Sequence, residues 1–262
     1  MISPTSYSLY HRCARAWWYR YVARVPTPQT PALARGSAVH AAIEEYLVHG
    51  RWPESDAIDV VQARRAQGTL DSWWADHSPG EIERSISLSL EPWGGVDVLG
   101  GRVDWSGRTP GPWVVDHKTT ANPAYWLTPE RAAADTQLLA YAGALFGPGV
   151  DVVVGHHYVP PPPHEPAIVT GLATAAAIDD VLRRYAETTV AVEQVRSAPT
   201  ADHVVPTPSG CWAYGGCSYA DRCTAAPSSL RARFQPIAQE VTVNQSTLRE
   251  RLGLPPDRKS VV

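Results

Sequence analysis

The sequence predicts an α/β fold, a central mixed β-sheet flanked by helices. Three observations carry this. Up to about residue 77, apolar residues recur at three- and four-residue steps, the period of helices with one packed face. From Glu83 the period changes to two, with Ile86, Leu88 and Leu90 alternating with serines. From Thr128 onward, helical and strand-like segments follow one another. A chain of 262 residues, 44% hydrophobic and 19% charged, is long enough to bury a proper core.

Residues 5–24 read as one helix, capped by Ser6 or Ser8, with Tyr10, Cys13, Trp17 and Tyr21 at helical steps. Its Arg12, Trp17, Trp18, Tyr19, Arg20 and Tyr21 mix cations with aromatic rings, a composition that serves both a core stripe and base stacking. Pro26, Pro28 and Pro31 form a connector. Gly36 and Ser37 open a second helix, Ala38 to about His49, with His40 in its first turn and Glu44 one turn on. A third spans 56–77. Strands follow at Glu83–Leu90, Val96–Trp105 and Trp113–Lys118. With Trp105 paired to Trp113, Asp104 lies opposite Val114. Asp104, Asp116 and Lys118 then share one face, the two acids as diagonal neighbours, and His117 points to the other. Thr128-Pro129-Glu130 starts a helix that runs to Phe146 and carries Gln137 and Tyr141 one turn apart. Asp151–Val159 is an apolar strand, Ile168–Val169 continues the sheet, and 173–197 is a long helix. Past Cys223 the chain is polar, with a helix expected near Ser246–Leu252. The organisation expected is an N-terminal helix and connector (1–35), a core (36–200), a cysteine-rich segment (201–228) and a tail (229–262).

No apolar run reaches the roughly 20 residues of a membrane span, and no charged-then-apolar leader opens the chain, so a cytoplasmic location is expected. Net charge is −3, but Arg12, Arg15, Arg20, Arg24 and Arg35 stand in residues 1–35 without a single acid. Such asymmetry suits either a phosphate-binding surface or a solvated helix face. The four cysteines are Cys13 and, far downstream, Cys211, Cys217 and Cys223 at spacings of six. In a reducing compartment four thiolates suit zinc or an iron–sulfur cluster. The paired knuckles of zinc sites are missing, so a [4Fe–4S] cluster joining the N- and C-terminal segments fits better.

Lysine is used only twice, against 21 arginines, and one of the two is Lys118. A compact ammonium two residues after Asp116 can hold or activate a water beside a metal-binding acid. With His40 and Asp104 added, the donors are hard, suiting Mg²⁺ or Mn²⁺. No covalent nucleophile is needed.

Gly36-Ser37-Ala38-Val39-His40, Gly101-Arg102-Val103-Asp104, Val115-Asp116-His117-Lys118-Thr119 and Gln137-Leu138-Leu139-Ala140-Tyr141 resemble the successive motifs of the PD-(D/E)XK nuclease superfamily, nearest its RecB-like branch. With the cysteine pattern, the resemblance extends to the iron–sulfur members, such as AddB domains, small CRISPR-associated exonucleases and similar bacteriophage proteins. It implies a restriction-endonuclease-like core and a DNA exonuclease acting on single strands or ends. His40, Asp104, Asp116 and the His117 carbonyl would bind the catalytic metal, and Lys118 would be the catalytic lysine. Gln137 and Tyr141 would contact DNA or steady the lysine, and Cys13, Cys211, Cys217 and Cys223 would ligate the cluster. Val103 replaces the proline that names the superfamily, and five residues separate Cys211 from Cys217 where two is usual. Glu81 or Glu83 is an accessory acid at most. No Walker-type phosphate loop is present, so a helicase or recombination partner would be a separate chain. The competing class is a non-cleaving DNA-binding module of the same fold.

Overall fold

The computed structural model describes residues 1–233, which leaves the helix expected near Ser246–Leu252 and most of the tail outside the described residues. The N-terminal segment forms two helices, not one: α1 (Pro4–Arg12) and α2 (Ala14–Tyr21). Ser3 caps α1 by accepting the Ser6 N–H at 3.2 Å. The break falls on Cys13, whose extended backbone (φ −166°, ψ 111°) ends one helix and begins the next. The thiol of Cys13 accepts the Thr207 N–H at 3.4 Å, so a tertiary contact overrides the helical period at this residue.

Helix α3 runs Pro31–His49, seven residues longer at its start than the sequence suggests. Thr30 caps it and Pro31 takes the first position, where a missing N–H costs nothing, so the last connector proline is a helix start. Gly50 ends it at φ 67°, in the left-handed region that glycine reaches without strain. The segment expected as one helix over 56–77 is α4 (Ile58–Arg64) and α5 (Gln67–His77).

Five strands, β1 (Gly80–Ser89), β2 (Val98–Gly107), β3 (Trp113–Lys118), β4 (Val152–Tyr158) and β5 (Ala167–Ala173), form one sheet in sequence order. β2–β3 and β4–β5 are antiparallel and β3–β4 is parallel, so the sheet is mixed. The parallel step needs a crossover, supplied by α6 (Pro129–Ala132) and α7 (Thr136–Phe146). The single helix expected from Thr128 is thus broken at 133–135, and Asp135 caps α7 by accepting the N–H groups of Gln137 and Leu138. Helix α8 spans Ala175–Arg196 and α9 spans Ser228–Arg233.

The β2–β3 register differs from the expected one by two residues: Trp105 pairs with Val115, not Trp113. A two-residue slip keeps every side chain on its face. The paired register ends there, and the His117 N–H beyond it goes to the Asp104 side chain.

Two compact units emerge. One holds residues 1–29, 87–101 and 180–233; the other holds 30–86 and 102–179. The first has a core of Leu9, Trp17, Val192, Tyr219 and Leu230, with Cys13, Cys211 and Cys223 inside it. The second packs Ala38, Val39, Ala42 and Ile43 of α3 with Val60, Leu70, Trp105, Trp113 and Val115. Everything in the candidate site below belongs to this second unit.

Candidate active site

Alternation on β3 sends Asp116 and Lys118 to one face of the sheet and His117 to the other. Asp116 is buried, with the Lys118 ammonium 2.5 Å from its Oδ2. Helix α7 lies against β3 and β4, and its first turn delivers Gln137 to this pair. The Gln137 amide donates from Nε2 to Asp116 Oδ1 (2.7 Å) and to the Tyr141 hydroxyl (3.3 Å), while its Oε1 accepts from Lys118 Nζ (3.1 Å). One amide thereby holds acid and ammonium in a fixed relation.

Across the strands, Asp104 Oδ2 accepts the His117 main-chain N–H at 2.7 Å and pairs with His40 Nδ1 at 3.4 Å. Burial opposes ionisation of Asp104, but the His40 ring, His117 and that N–H together hold its carboxyl well below the usual carboxylate range. Burial works against a charged His40, yet Asp104 and then Asp116 raise its pKa. Asp116 has the opposite balance. Burial, aided by the Asp104 charge, outweighs Lys118 and pushes it up to about 6. Lys118 resists burial because Asp116 and Asp104 favour its charge, so its pKa is raised. It is therefore a cation at neutral pH, a donor and point charge, and no base.

The structure adds residues that the motifs left out. Glu83 has φ 51°, a left-handed conformation that a non-glycine residue adopts only under constraint. Its carboxylate pairs with Arg102 Nε at 2.5 Å, and Arg102 Nη2 reaches Glu44 at 3.2 Å. Burial, with Asp104 and Glu44 nearby, raises Glu83 to about 7. His156 pairs with Asp116 in the β3–β4 register and so shares its face; it is buried, with Nδ1 3.1 Å from the Tyr158 hydroxyl and no partner at Nε2. Only strand alternation in β4 signals it in the sequence. On the far face the His117 ring meets His157 (Nδ1 to Nδ1, 3.0 Å), which meets the Thr69 hydroxyl at 2.9 Å. His117 is thus held inside the fold, pushed down to about 4 by burial.

The structure brings Asp116, Lys118, Gln137 and Tyr141 into one hydrogen-bonded set and His40 and Asp104 into another. Among the described residues no three His, Cys, Asp or Glu side chains are arranged to hold one ion. The donor chemistry nevertheless fits a hard divalent cation. Asp104 and Asp116 are close enough to act on each other's charge, and Asp116 Oδ2 is buried with no hydrogen bond beyond its ion pair with Lys118. As a ligand His40 would serve through a neutral ring nitrogen.

In the other unit, the four thiols are free and share one core, Cys217 at its edge. Burial, then the neighbouring cysteines, raise Cys211; burial chiefly raises Cys217, with Cys13 and Cys223 adding to it. Arg15 is buried beside them, donating to Val204 O (2.9 Å), Asp202 (3.2 Å) and Thr224 (3.0 Å), with Nη1 3.9 Å from Cys223 Sγ. Two of the sulfurs meet N–H groups, Cys13 that of Thr207 and Cys223 that of Arg15, but among the described residues the thiols are not gathered around one ion.

No curated protein matches the chain. A solved structure from Eubacterium rectale, named as a candidate exonuclease, matches over 94% of this chain and 92% of its own, with 14% identity and a TM-score of 0.54. It shares the fold. A second solved structure, SSO0001, covers 87% of each chain at 15% identity, but its TM-score of 0.41 is too low to argue from. The family model of the PD-(D/E)XK nuclease superfamily matches residues 1–224. That span takes in every motif and all four cysteines, and the chain belongs to the PD-(D/E)XK nuclease superfamily.

Proposed function

We propose that this chain is a Mg²⁺- or Mn²⁺-dependent DNA exonuclease working on single strands or ends, of the RecB-like, AddB-like branch that carries a structural [4Fe–4S] cluster. The observation that supports it most is the Asp116–Lys118–Gln137 set with Asp104 across the strands. Asp104, Asp116, His40 and the His117 carbonyl would hold the catalytic ion, which lowers the pKa of a bound water and neutralises charge on the phosphate. Lys118 is a charged donor, suited to orienting the attacking water and to stabilising the negative charge that builds up as phosphorus gains one oxygen and the leaving oxygen departs. Gln137 bonds both Lys118 and Asp116 and so fixes the pair in place, and Tyr141 anchors Gln137. Glu83 and Glu44 both pair with Arg102 next to this group, so their charge is largely offset there. Cys13, Cys211, Cys217 and Cys223 would ligate the cluster and join the ends of their unit. A separate helicase or recombination protein would supply strand separation.

Among the described residues no three ligand side chains converge, which favours a second reading, a DNA-binding module that does not cut. One experiment separates the two: digestion of DNA strands labelled at either end, with Mg²⁺ and Mn²⁺ compared. Stepwise shortening from one end is expected. Intact strands at every metal concentration would leave the binding module, and internal cuts would replace exonuclease by endonuclease.

A further inference from the structure

Between α1 and α8, within the unit that holds the cysteines, lies an open cavity of about 280 Å³. Its lining includes Tyr7, Tyr10, His11, Arg184, Glu187 and Thr188. We propose that this cavity binds one unpaired nucleobase of single-stranded DNA, a proposal that rests on the reading of the chain as a DNA nuclease. The volume accommodates a base, and the walls are of the kind that bases stack on. Tyr7 is fixed by stacking on Tyr185, with centroids 4.0 Å apart at 11°. His11 tilts over Tyr7 at 4.3 Å and meets Tyr10 edge to face at 5.4 Å. Tyr7 is buried and forms the floor, Tyr10 is half-buried, and His11 is exposed.

The polar groups are set for recognition. Thr188 Oγ1 donates to the Arg184 carbonyl at 2.7 Å, so at its 2.9 Å contact with His11 Nε2 it accepts. The ring proton of His11 therefore sits on Nε2, and Nδ1 is an acceptor. The Glu187 carboxylate is a second acceptor, matched to exocyclic and ring N–H groups of a base. The Arg184 guanidinium is held by Asp180 (3.1 Å) and places a cation at the rim. Arg20 and Arg24, exposed in the same unit and not used by the hydrolytic site, complement the backbone of a strand. Trp17 and Tyr19, by contrast, are buried in the core, whereas Tyr10 and His11 line the cavity.

The test is fluorescence anisotropy with a labelled single-stranded oligonucleotide and no added divalent cation. Tyr10→Ala and His11→Ala should each weaken binding about tenfold, as loss of one stacked base does, while His11→Phe, which keeps a ring, should retain most of it. An abasic residue walked along the strand should weaken wild-type binding at one position and cost little more in Tyr10→Ala. Saturating strand should restore wild-type kcat to both alanine variants. Unchanged affinity in both, or indifference to the abasic residue everywhere, overturns the base pocket while leaving a cutting enzyme intact. A wild-type protein that neither binds nor cuts DNA overturns the reading beneath it.

Discussion

At the residue scale, burial sorts the ionisable groups of the nuclease unit into two kinds. His117, His156 and His157 are buried and kept neutral, the first two pushed down to about 4 and His157 well below its ordinary value. A ring depressed in the folded state adds stability that is complete above its unfolded pKa of about 6.5 and is lost as pH falls toward the folded value. Glu83, raised to about 7, and His40 act in the other direction: their stability is complete at low pH and is lost as pH rises through the folded value. His157 shows the first effect most fully, because it is fully buried, lies on the face away from the two aspartates and, among the described residues, its ring bonds His117 and Thr69. In thermal melts from pH 7.5 to 5, the stability gap between wild type and His157→Gln is expected to narrow as pH falls. A gap that does not change with pH would mean that His157 is not held neutral.

Strand parity and helical steps are local rules, and they placed Asp116 and Lys118 on one sheet face, His117 on the other, and Gln137 and Tyr141 one turn apart before any coordinates. The pairing of His40 with Asp104, the ion pairs of Arg102 with Glu83 and Glu44, and the place of His156 beside Asp116 were not legible. They arise from contacts between segments distant in sequence, which no local period encodes.

Elements follow the same division. Strand β3 was readable to the residue because its β-branched run is bounded by Pro112 and by the Thr119–Pro123 segment. The breaks at Cys13, at 65–66 and at 133–135 were not, since apolar periodicity continues through them and tertiary demands decide. The short α6 shows one such demand. It packs on β5, and a Cβ on Gly171 would come within 2.0 Å of the Pro129 carbonyl oxygen. Two stretches of backbone this close cannot relax independently. Gly171→Ala is therefore expected to destabilise by about 1–3 kcal/mol, as overpacking does, and by displacing the segment that leads into α7 to lower activity as well. Urea unfolding of the purified variant checks this; a midpoint equal to that of wild type would show that α6 can shift freely.

At the scale of the whole molecule, the two compact units have separate cores, and the order of the chain does not reveal them. Residues 1–29 and 180–233 belong to one unit although some 150 residues lie between them. The cysteine spacing was the one hint of that union. Its consequence is chemical: if four thiolates hold a cluster, the binding energy of the cluster is folding energy for this unit. Anaerobically purified protein should be brown, with broad absorption near 400 nm, and Cys13→Ser should lose both colour and solubility while the Asp116 site stays unaltered in sequence. Colourless protein that carries zinc and resists unfolding would replace the cluster with a structural zinc site. Among the described residues no helix is long and apolar enough to cross a membrane.

The central claim is that Asp116 and Lys118 carry out phosphodiester hydrolysis. The most direct measurement is Mn²⁺-dependent cleavage of labelled single-stranded DNA by wild type, Asp116→Ala and Lys118→Ala, each shown by circular dichroism to be folded. Cleavage by wild type and a loss of at least about a hundredfold in both variants is the expected result, the scale of removing a group that stabilises transition-state charge. Cleavage at the wild-type rate by either folded variant would contradict the assignment.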